Sequence, residues 1–212
     1  ISDTQTITKV IIDDKKGDPS KHISFDNVSF SYLGKTNNLS DISFSLKKGE
    51  TLGIIGATGS GKSTMMLLLD KLYPLGENAG RITIGGVDIN EIRTEHLRKN
   101  IGMVLQEPFL FSRTIAENIG ITKENMSLSE IREAAAIACV DHSVMEFTKG
   151  YDTVVGERGV TLSGGQKQRT AIARMLVQKT PIMVFDDSLS AVDAQTDAMI
   201  RQALKEKLAE AT

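Results

Sequence analysis

A glycine-rich loop between an apolar run and a helical pattern constrains this chain more than any other feature. Residues 56–63 read GATGSGKS and match G-x-x-x-x-G-K-[ST] at every fixed position. Glycines allow successive backbone N–H groups to turn inward and form a concave anion site, which a Cβ would obstruct. A helix predicted at residues 62–72 directs its positive dipole end and its unpaired N–H groups at the same point. The sequence therefore predicts a phosphate-binding loop.

Two side chains of the loop have the chemistry of a nucleotide site. Lys62 is predicted to reach the β- and γ-phosphates, and the Ser63 hydroxyl is predicted to bind Mg²⁺. The apolar residues 52–55 have the right length for a buried strand before the loop. The residues expected to contact the nucleotide are Gly56, Thr58, Gly59, Ser60, Gly61, Lys62, Ser63 and Thr64.

The composition is that of a soluble globular protein and excludes several classes. The chain has 212 residues, of which 40% are hydrophobic and 25% charged. A net charge of −2 provides no basic field for nucleic acid, so no nucleic-acid partner is expected. The single cysteine, Cys139, excludes an internal disulfide framework, and no run approaches the ~20 apolar residues that span a bilayer. The chain begins with Ile1 and not with Met, which indicates a fragment of a longer protein.

The order of the predicted elements indicates an α/β protein with an inserted helical part. Residues 1–21 are polar and aperiodic, which predicts a linker. From His22 apolar and polar residues alternate in two segments, which predicts antiparallel strands. Thr94 is predicted to cap a short helix, and Ser127 begins a capping box. Strands are expected at residues 81–84, 101–105 and 182–185, helices alone at 113–148, and a last helix at about 195–210.

Two further motifs complete a composite site. Asp186 ends an apolar strand, expected beside the strand before the phosphate loop, and is predicted to join the Mg²⁺ shell. The segment LSGGQ runs into a helix and forms a second anion cradle from a serine hydroxyl and glycine N–H groups. One nucleotide does not need two cradles, so a dimer is expected in which each cradle faces the partner's nucleotide. The cradle consists of Leu162, Ser163, Gly164, Gly165 and Gln166.

These motifs together resemble the nucleotide-binding domain of an ABC (ATP-binding cassette) transporter over residues 22–211. LSGGQ is that family's signature, and a phosphate loop about 100 residues upstream makes the match very specific. The resemblance implies an α/β P-loop NTPase fold in residues 22–212, with ATP and Mg²⁺ as cofactors. That fold has a RecA-like parallel-sheet core, an N-terminal antiparallel β subdomain and a helical subdomain inserted at about residues 107–165.

The resemblance also implies roles for residues outside the two loops. Tyr32 matches the aromatic that stacks on adenine, although a plain half-buried strand residue is the alternative. Gln106 matches the glutamine that bridges Mg²⁺, the attacking water and the transmembrane contact. Residues 190–193, SAVD, resemble the segment that touches the opposite site across the dimer. Asp187 occupies the place of the glutamate that polarises water, so the implied catalytic residues are Asp187, Gln106 and Lys62.

Two departures from the family pattern bear on activity. Aspartate at 187 is shorter than glutamate by one methylene, about 1.5 Å, and a misplacement near 1 Å can reduce a rate on the order of a hundredfold. A tolerated substitution is the alternative. The family's switch histidine is missing, because His22, His96 and His142 all precede residues 190–193. The chain is therefore expected to be truncated at its C-terminus.

The segments at 155–159 (VGERG), 96–111 (HLRKNIGMVLQEPFLF) and 114–119 (TIAENI) resemble ABC exporters more than importers. The expected function is ATP binding and hydrolysis that powers export of an unknown substrate, with low activity in the fragment itself. Two alternatives stay open: a regulatory nucleotide-binding module with little turnover, and an ABC-type DNA-repair ATPase. The second would carry long coiled-coil heptads between the phosphate loop and the signature, where this chain has only a small helical part.

The resemblance implies two partners and a location. The expected partners are a transmembrane domain of the same chain and a second ABC subunit. Because a complete signature accompanies the short carboxylate of Asp187, a heterodimer is favoured over a homodimer. The full-length protein is expected in the cell membrane with this domain at the cytoplasmic face, and the fragment itself is expected to be soluble.

Overall fold

The structure is a computed structural model that describes residues 21–34, 37–123, 125–156, 161–207 and 211–212. These residues form two compact units: the first contains the described residues up to Ile101 together with residues 211–212, and the second contains those from Gly102 to Lys207. All of the predicted linker except Lys21, residues 157–159 of the exporter-like segment, and the end of the last predicted helix lie outside the described residues. The predicted domain boundaries stay predictions.

The first unit contains a four-stranded antiparallel sheet, which confirms the strands expected from the alternating segments. The spatial order of the strands is β2-β1-β3-β4. Phe25 and Phe44 are partners in the register, and their rings stack with centroids 4.6 Å apart. Gly85 and Gly86 both have positive φ in the turn between the last two strands. The strands are β1 (Ile23–Phe30), β2 (Leu39–Leu46), β3 (Arg81–Ile84) and β4 (Val87–Asp88).

In the described part of the first unit, two helices, α1 (Lys62–Leu69) and α2 (Thr94–Asn100), accompany the sheet together with a 3-10 helix at Ile89–Glu91. The helix predicted to reach residue 72 ends at Leu69, because Lys71 has a left-handed φ of 51° and the N–H groups of Lys71 and Leu72 bond back to the oxygens of Leu68 and Leu67. The prediction that Thr94 caps the short helix is wrong by one position. Arg93 has the extended backbone of the N-cap, and Thr94 is already helical.

The strand predicted at residues 52–55 is not formed. None of the strands in the described ranges pairs with this segment, and the side chain of Ile55 is 99% exposed. An apolar run indicates a buried strand only when a neighbouring strand supplies ladder hydrogen bonds and cover. The strand that ends before Asp186 therefore lacks the neighbour expected at residues 52–55, and among the described residues it pairs with residues 101–104.

As far as its residues are described, the second unit combines a two-stranded parallel sheet with five helices. The capping box predicted at Ser127 is confirmed, and Thr114 forms another one with Glu117. A 3-10 turn occupies Gly150–Asp152. The strands are β5 (Ile101–Val104) and β6 (Ile182–Phe185), and the helices are α3 (Ile115–Gly120), α4 (Leu128–Ile137), α5 (Asp141–Met145), α6 (Gly164–Leu176) and α7 (Ala194–Lys207).

The core of the second unit forms around α6, whose Ile172 is fully buried. Arg174 of this helix donates to the backbone oxygens of Asn118 (2.7 Å) and Phe109 (2.8 Å) and to the Asn118 side chain (2.9 Å). Burial lowers the pKa of this guanidinium, and three oxygens compensate its desolvation. α6 thereby holds the segment that follows β5. Among the helices in the described ranges, none is long and apolar enough to cross a membrane.

Candidate functional site

The phosphate loop lies in the first unit and has the backbone that its glycines predict. Gly59 and Gly61 have positive φ values of 82° and 94°. A Cβ on Gly61 would lie 2.6 Å from the backbone oxygen of Asn38, whereas one on Gly59 would meet open space. Position 61 therefore requires glycine for two independent reasons, its conformation and the close approach of the chain beside β2.

As described, the start of α1 has no side-chain cap. Gly61 is the N-cap and provides no side-chain bond, and the first turn of α1 as described contains no acidic residue. Lys62 folds back so that Nζ donates to the backbone oxygens of Gly56 (2.7 Å) and Ala57 (2.9 Å). Uncapped N–H groups and an ammonium group thus lie within one short loop, which is an arrangement suited to a phosphate. The Ser63 hydroxyl beside them is exposed.

Tyr32 lies next to this loop and is held by several contacts. Its hydroxyl donates to Thr64 Oγ1 at 3.1 Å. Its ring meets Phe30 and Tyr73 edge to face, with centroids 5.0 and 4.9 Å apart. The residue remains 41% exposed. The adenine contact stays a prediction, but the structure supports it with an ordered, partly exposed aromatic ring beside the start of α1.

In the second unit, polar residues follow the ends of β5 and β6. The backbone N–H of Asp186 donates to Val104 at 2.9 Å, and Asp186 is buried. Nε2 of Gln106 donates to Oδ2 of Asp187 at 3.2 Å, so two of the three predicted catalytic residues are in contact. Asp187 has a φ of 48°, a conformation that is uncommon outside glycine, asparagine and aspartate.

The signature segment forms the N-terminus of α6. The Ser163 hydroxyl accepts from the Gln166 N–H at 3.2 Å, and the Gln166 side chain accepts from the Ser163 N–H at 2.9 Å. Leu162 is buried in the core, whereas Ser163 and Gly164 are exposed. The hydroxyl predicted to face an anion therefore caps its own helix in this structure, in a reciprocal capping box.

The two signature glycines differ in their surroundings. A Cβ on Gly165 would lie 2.8 Å from the backbone oxygen of Ala191, whereas a Cβ on Gly164 would lie 3.5 Å from the Ala191 side chain. Only Gly165 is needed for the close approach of α6 to residues 188–193. The same segment ends at Asp193, whose carboxylate accepts from the Thr196 N–H at 2.9 Å, and this bond holds the pKa of Asp193 below its usual range.

Gln168 is a buried residue at this site that none of the sequence motifs indicated. It is 4% exposed and lies between the segments after β5 and β6. Its side chain contacts Gln106, Ser190 and Ala191. The available signal was helical spacing, because Gln168 begins the buried stripe that continues at 171, 172 and 175. A polar residue in such a stripe indicates a buried hydrogen-bonded contact.

Comparisons with known proteins agree with this geometry. A family model for ABC transporters matches residues 39–190. The chain is 49% identical over 186 residues to the ABC transporter ATP-binding protein YfiB of Bacillus subtilis (strain 168), covering 87% of this chain and 32% of that protein. It is 40% identical over 195 residues to the beta-(1→2)glucan export ATP-binding/permease protein NdvA of Brucella suis biovar 1 (strain 1330), covering 92% and 32%.

A solved structure of a bacterial Atm1-family ABC exporter with ATP bound superposes with a TM-score of 0.85 at 39% identity. The match covers 90% of this chain and 33% of that one, so the chain spans about a third of the length of the relatives it matches. The fold is thus the mixed α/β fold of ABC ATPases, with an antiparallel β subdomain and a parallel sheet. The chain belongs to the ABC transporter family.

The two signature glycines allow a matched test of the packing between α6 and Ala191. Gly165→Ala should destabilise the chain by about 1–3 kcal/mol, because the new methyl group overpacks against a backbone oxygen. Gly164→Ala should stabilise it by about 0.4–1 kcal/mol through the lower entropy of the unfolded chain. Urea unfolding of both variants measures the difference, and equal stabilities would contradict the close approach at Gly165.

Proposed function

We propose that this chain is the ATP-binding and ATP-hydrolysing domain of an ABC exporter, and that hydrolysis powers the export of a substrate. The observation that carries the proposal is the geometry of the phosphate loop. Gly59 and Gly61 have positive φ, and the uncapped N–H groups of α1 lie in the same short loop as Lys62. The signature segment at the start of α6 and the family membership support the assignment of this site to an ABC-type ATPase.

Binding of ATP rests on residues of the first unit. The uncapped N–H groups at the start of α1 donate to the phosphates, and the Lys62 ammonium exchanges its bonds to Gly56 and Ala57 for phosphate oxygens. Tyr32, held by Thr64 and its aromatic neighbours, offers its exposed ring to the adenine.

The residues proposed for Mg²⁺ have suitable oxygen donors. Ser63 offers an exposed hydroxyl, Asp186 a carboxylate, and Gln106 the side-chain oxygen that its bond to Asp187 does not use. Among the described residues no three His, Cys, Asp or Glu side chains cluster as a metal cage. This fits Mg²⁺, which is commonly held by one or two carboxylates together with phosphate oxygens. When bound, the ion neutralises charge on the β- and γ-phosphates.

We assign hydrolysis to Gln106 and Asp187, which follow β5 and β6 and contact each other. Asp187 accepts the proton of the attacking water, and Gln106 orients the carboxylate through its Nε2 donor. The short side chain and its existing bond to Gln106 restrict the reach of Asp187. Water activation is therefore expected to be slow at the site formed on this chain's own phosphate loop.

The partners follow from the chain's place in the family. Relatives named ATP-binding/permease proteins support a transmembrane domain in the same chain and a position at the cytoplasmic face of a membrane. A complete signature together with a slow local site favours a heterodimer, in which this signature serves a faster site on the other subunit. A module that holds ATP with little turnover is the second candidate, favoured by the hydrogen-bonded state of Asp187.

ATP binding by the chain tests the role of Lys62. Lys62→Ala should weaken ATP binding at least about tenfold, because a charge-assisted bond contributes about 1.5–3 kcal/mol. Lys99→Ala removes the same charge from an exposed position on α2 and should leave affinity unchanged. Isothermal titration calorimetry compares the two variants. A Lys62→Ala affinity within threefold of the parent would exclude Lys62 from the site.

The asymmetric site is tested in the reconstituted full-length transporter. Ser163→Ala combined with Gly164→Val should nearly abolish ATPase activity, whereas Asp187→Asn should leave most of it. Because Ser163 also caps α6, Ser127→Ala is the matched control: it removes the equivalent capping box of α4 and should retain activity. If Asp187→Asn stops turnover as completely as the signature variant, Asp187 is a working base and the asymmetric assignment fails.

A further inference from the structure

We infer that Gln168 is a positioning residue for hydrolysis, which holds Gln106 and residues 190–191 in fixed relation to Asp187. The inference rests on the proposed function, because it assigns Gln168 a part in ATP turnover. Gln168 lies two positions after the signature and outside the residues expected to contact ATP.

The Gln168 amide uses both its donor and its acceptor. Nε2 donates to Ser190 Oγ at 3.2 Å and, in a longer contact of 3.5 Å, to the backbone oxygen of Gln106. Oε1 accepts from the Ala191 N–H at 3.0 Å. The residue is only 4% exposed, so water cannot readily replace these partners.

These contacts close a ring through the catalytic pair. From Gln168 the ring passes to Gln106, whose side chain donates to Asp187 at 3.2 Å. The backbone oxygen of Asp187 accepts from the Ser190 N–H at 3.2 Å, and the Ser190 hydroxyl returns to Gln168. A displacement of any one member shifts the others, so Gln168 sets the position of the Asp187 carboxylate without touching it.

The helix itself does not depend on this amide for its position. α6 is anchored in the core by apolar residues of the same stripe, such as Ile172 and Met175, and by the bonds of Arg174. An apolar residue at 168 would therefore keep the helix in place, while Ala191 and Ser190 would lose their partners. The effect is expected on the rate of the chemical step more than on the stability of the fold.

Three variants separate positioning from general packing. Gln168→Met keeps the side-chain length and removes both hydrogen-bonding functions. Gln168→Glu keeps the acceptor for Ala191 and loses the donor while its carboxyl is ionised. Thr170→Val is the matched control, since Thr170 is fully buried on the same helix and its hydroxyl donates to the Gln166 backbone oxygen within α6.

Steady-state ATPase kinetics of the reconstituted full-length transporter provide the first readout. Gln168→Met should lower kcat about 10- to 100-fold, as expected for a misplacement near 1 Å, with KM for ATP within about threefold because the phosphate loop is untouched. Thr170→Val should keep the parent kcat. Gln168→Glu should recover relative to the parent as pH falls from about 8 to about 6, because burial raises the pKa of a carboxyl and its protonated form can again donate to Ser190.

The outcomes distinguish this inference from the proposed function. If the parent hydrolyses ATP and both Gln168 variants match Thr170→Val in kcat and pH profile, the inference is overturned and the proposed function stands. If the parent binds ATP without turnover, hydrogen exchange decides: Gln168→Met must accelerate exchange of the Ala191 amide while Gln168→Glu protects it, and unchanged exchange overturns the ring. Loss of the proposed function itself would be seen as ATP affinity that does not depend on Lys62.

Discussion

The close approach of Gly61 to the backbone of Asn38 is the constraint on which the candidate nucleotide site depends. No side chain fits between them, and Gly61 has a conformation that other residues rarely adopt. The start of β2 therefore fixes the point at which α1 begins. Because Gly61 offers no cap, the first N–H groups of α1 remain open to a ligand instead of being used by the protein.

The second unit uses α6 as a common support for its functional segments. Leu162 anchors the start of the helix in the core, and Gly165 allows residues 188–193 to pack against it. One turn later Gln168 connects the segments after β5 and β6, and Arg174 holds the chain near Phe109. One helix thus positions the signature, Gln106 and Asp187, so a movement of α6 would displace all three together.

Local signals in the sequence predicted most of the elements. Alternation predicted β1 and β2, and the capping box at Ser127 located the start of α4. Failures arose where the decisive partner is distant in sequence. Apolarity at residues 52–55 says nothing of a neighbouring strand. The end of α1 was missed for another reason, because the left-handed residue of its C-cap is Lys71 and not the usual glycine or asparagine. The motif residues were recognisable, whereas the contact of Gln106 with Asp187 and the contacts of Gln168 depend on tertiary packing that spacing does not show.

The central claim is that the backbone N–H groups of the phosphate loop form the ATP site. Hydrogen–deuterium exchange of residues 56–64, followed with saturating ATP·Mg²⁺ and with adenosine as control, tests it most directly. We expect slower exchange in this loop with ATP·Mg²⁺, no slowing there with adenosine, and little change in α4. Unchanged exchange at residues 56–64 under saturating ATP·Mg²⁺ would contradict it.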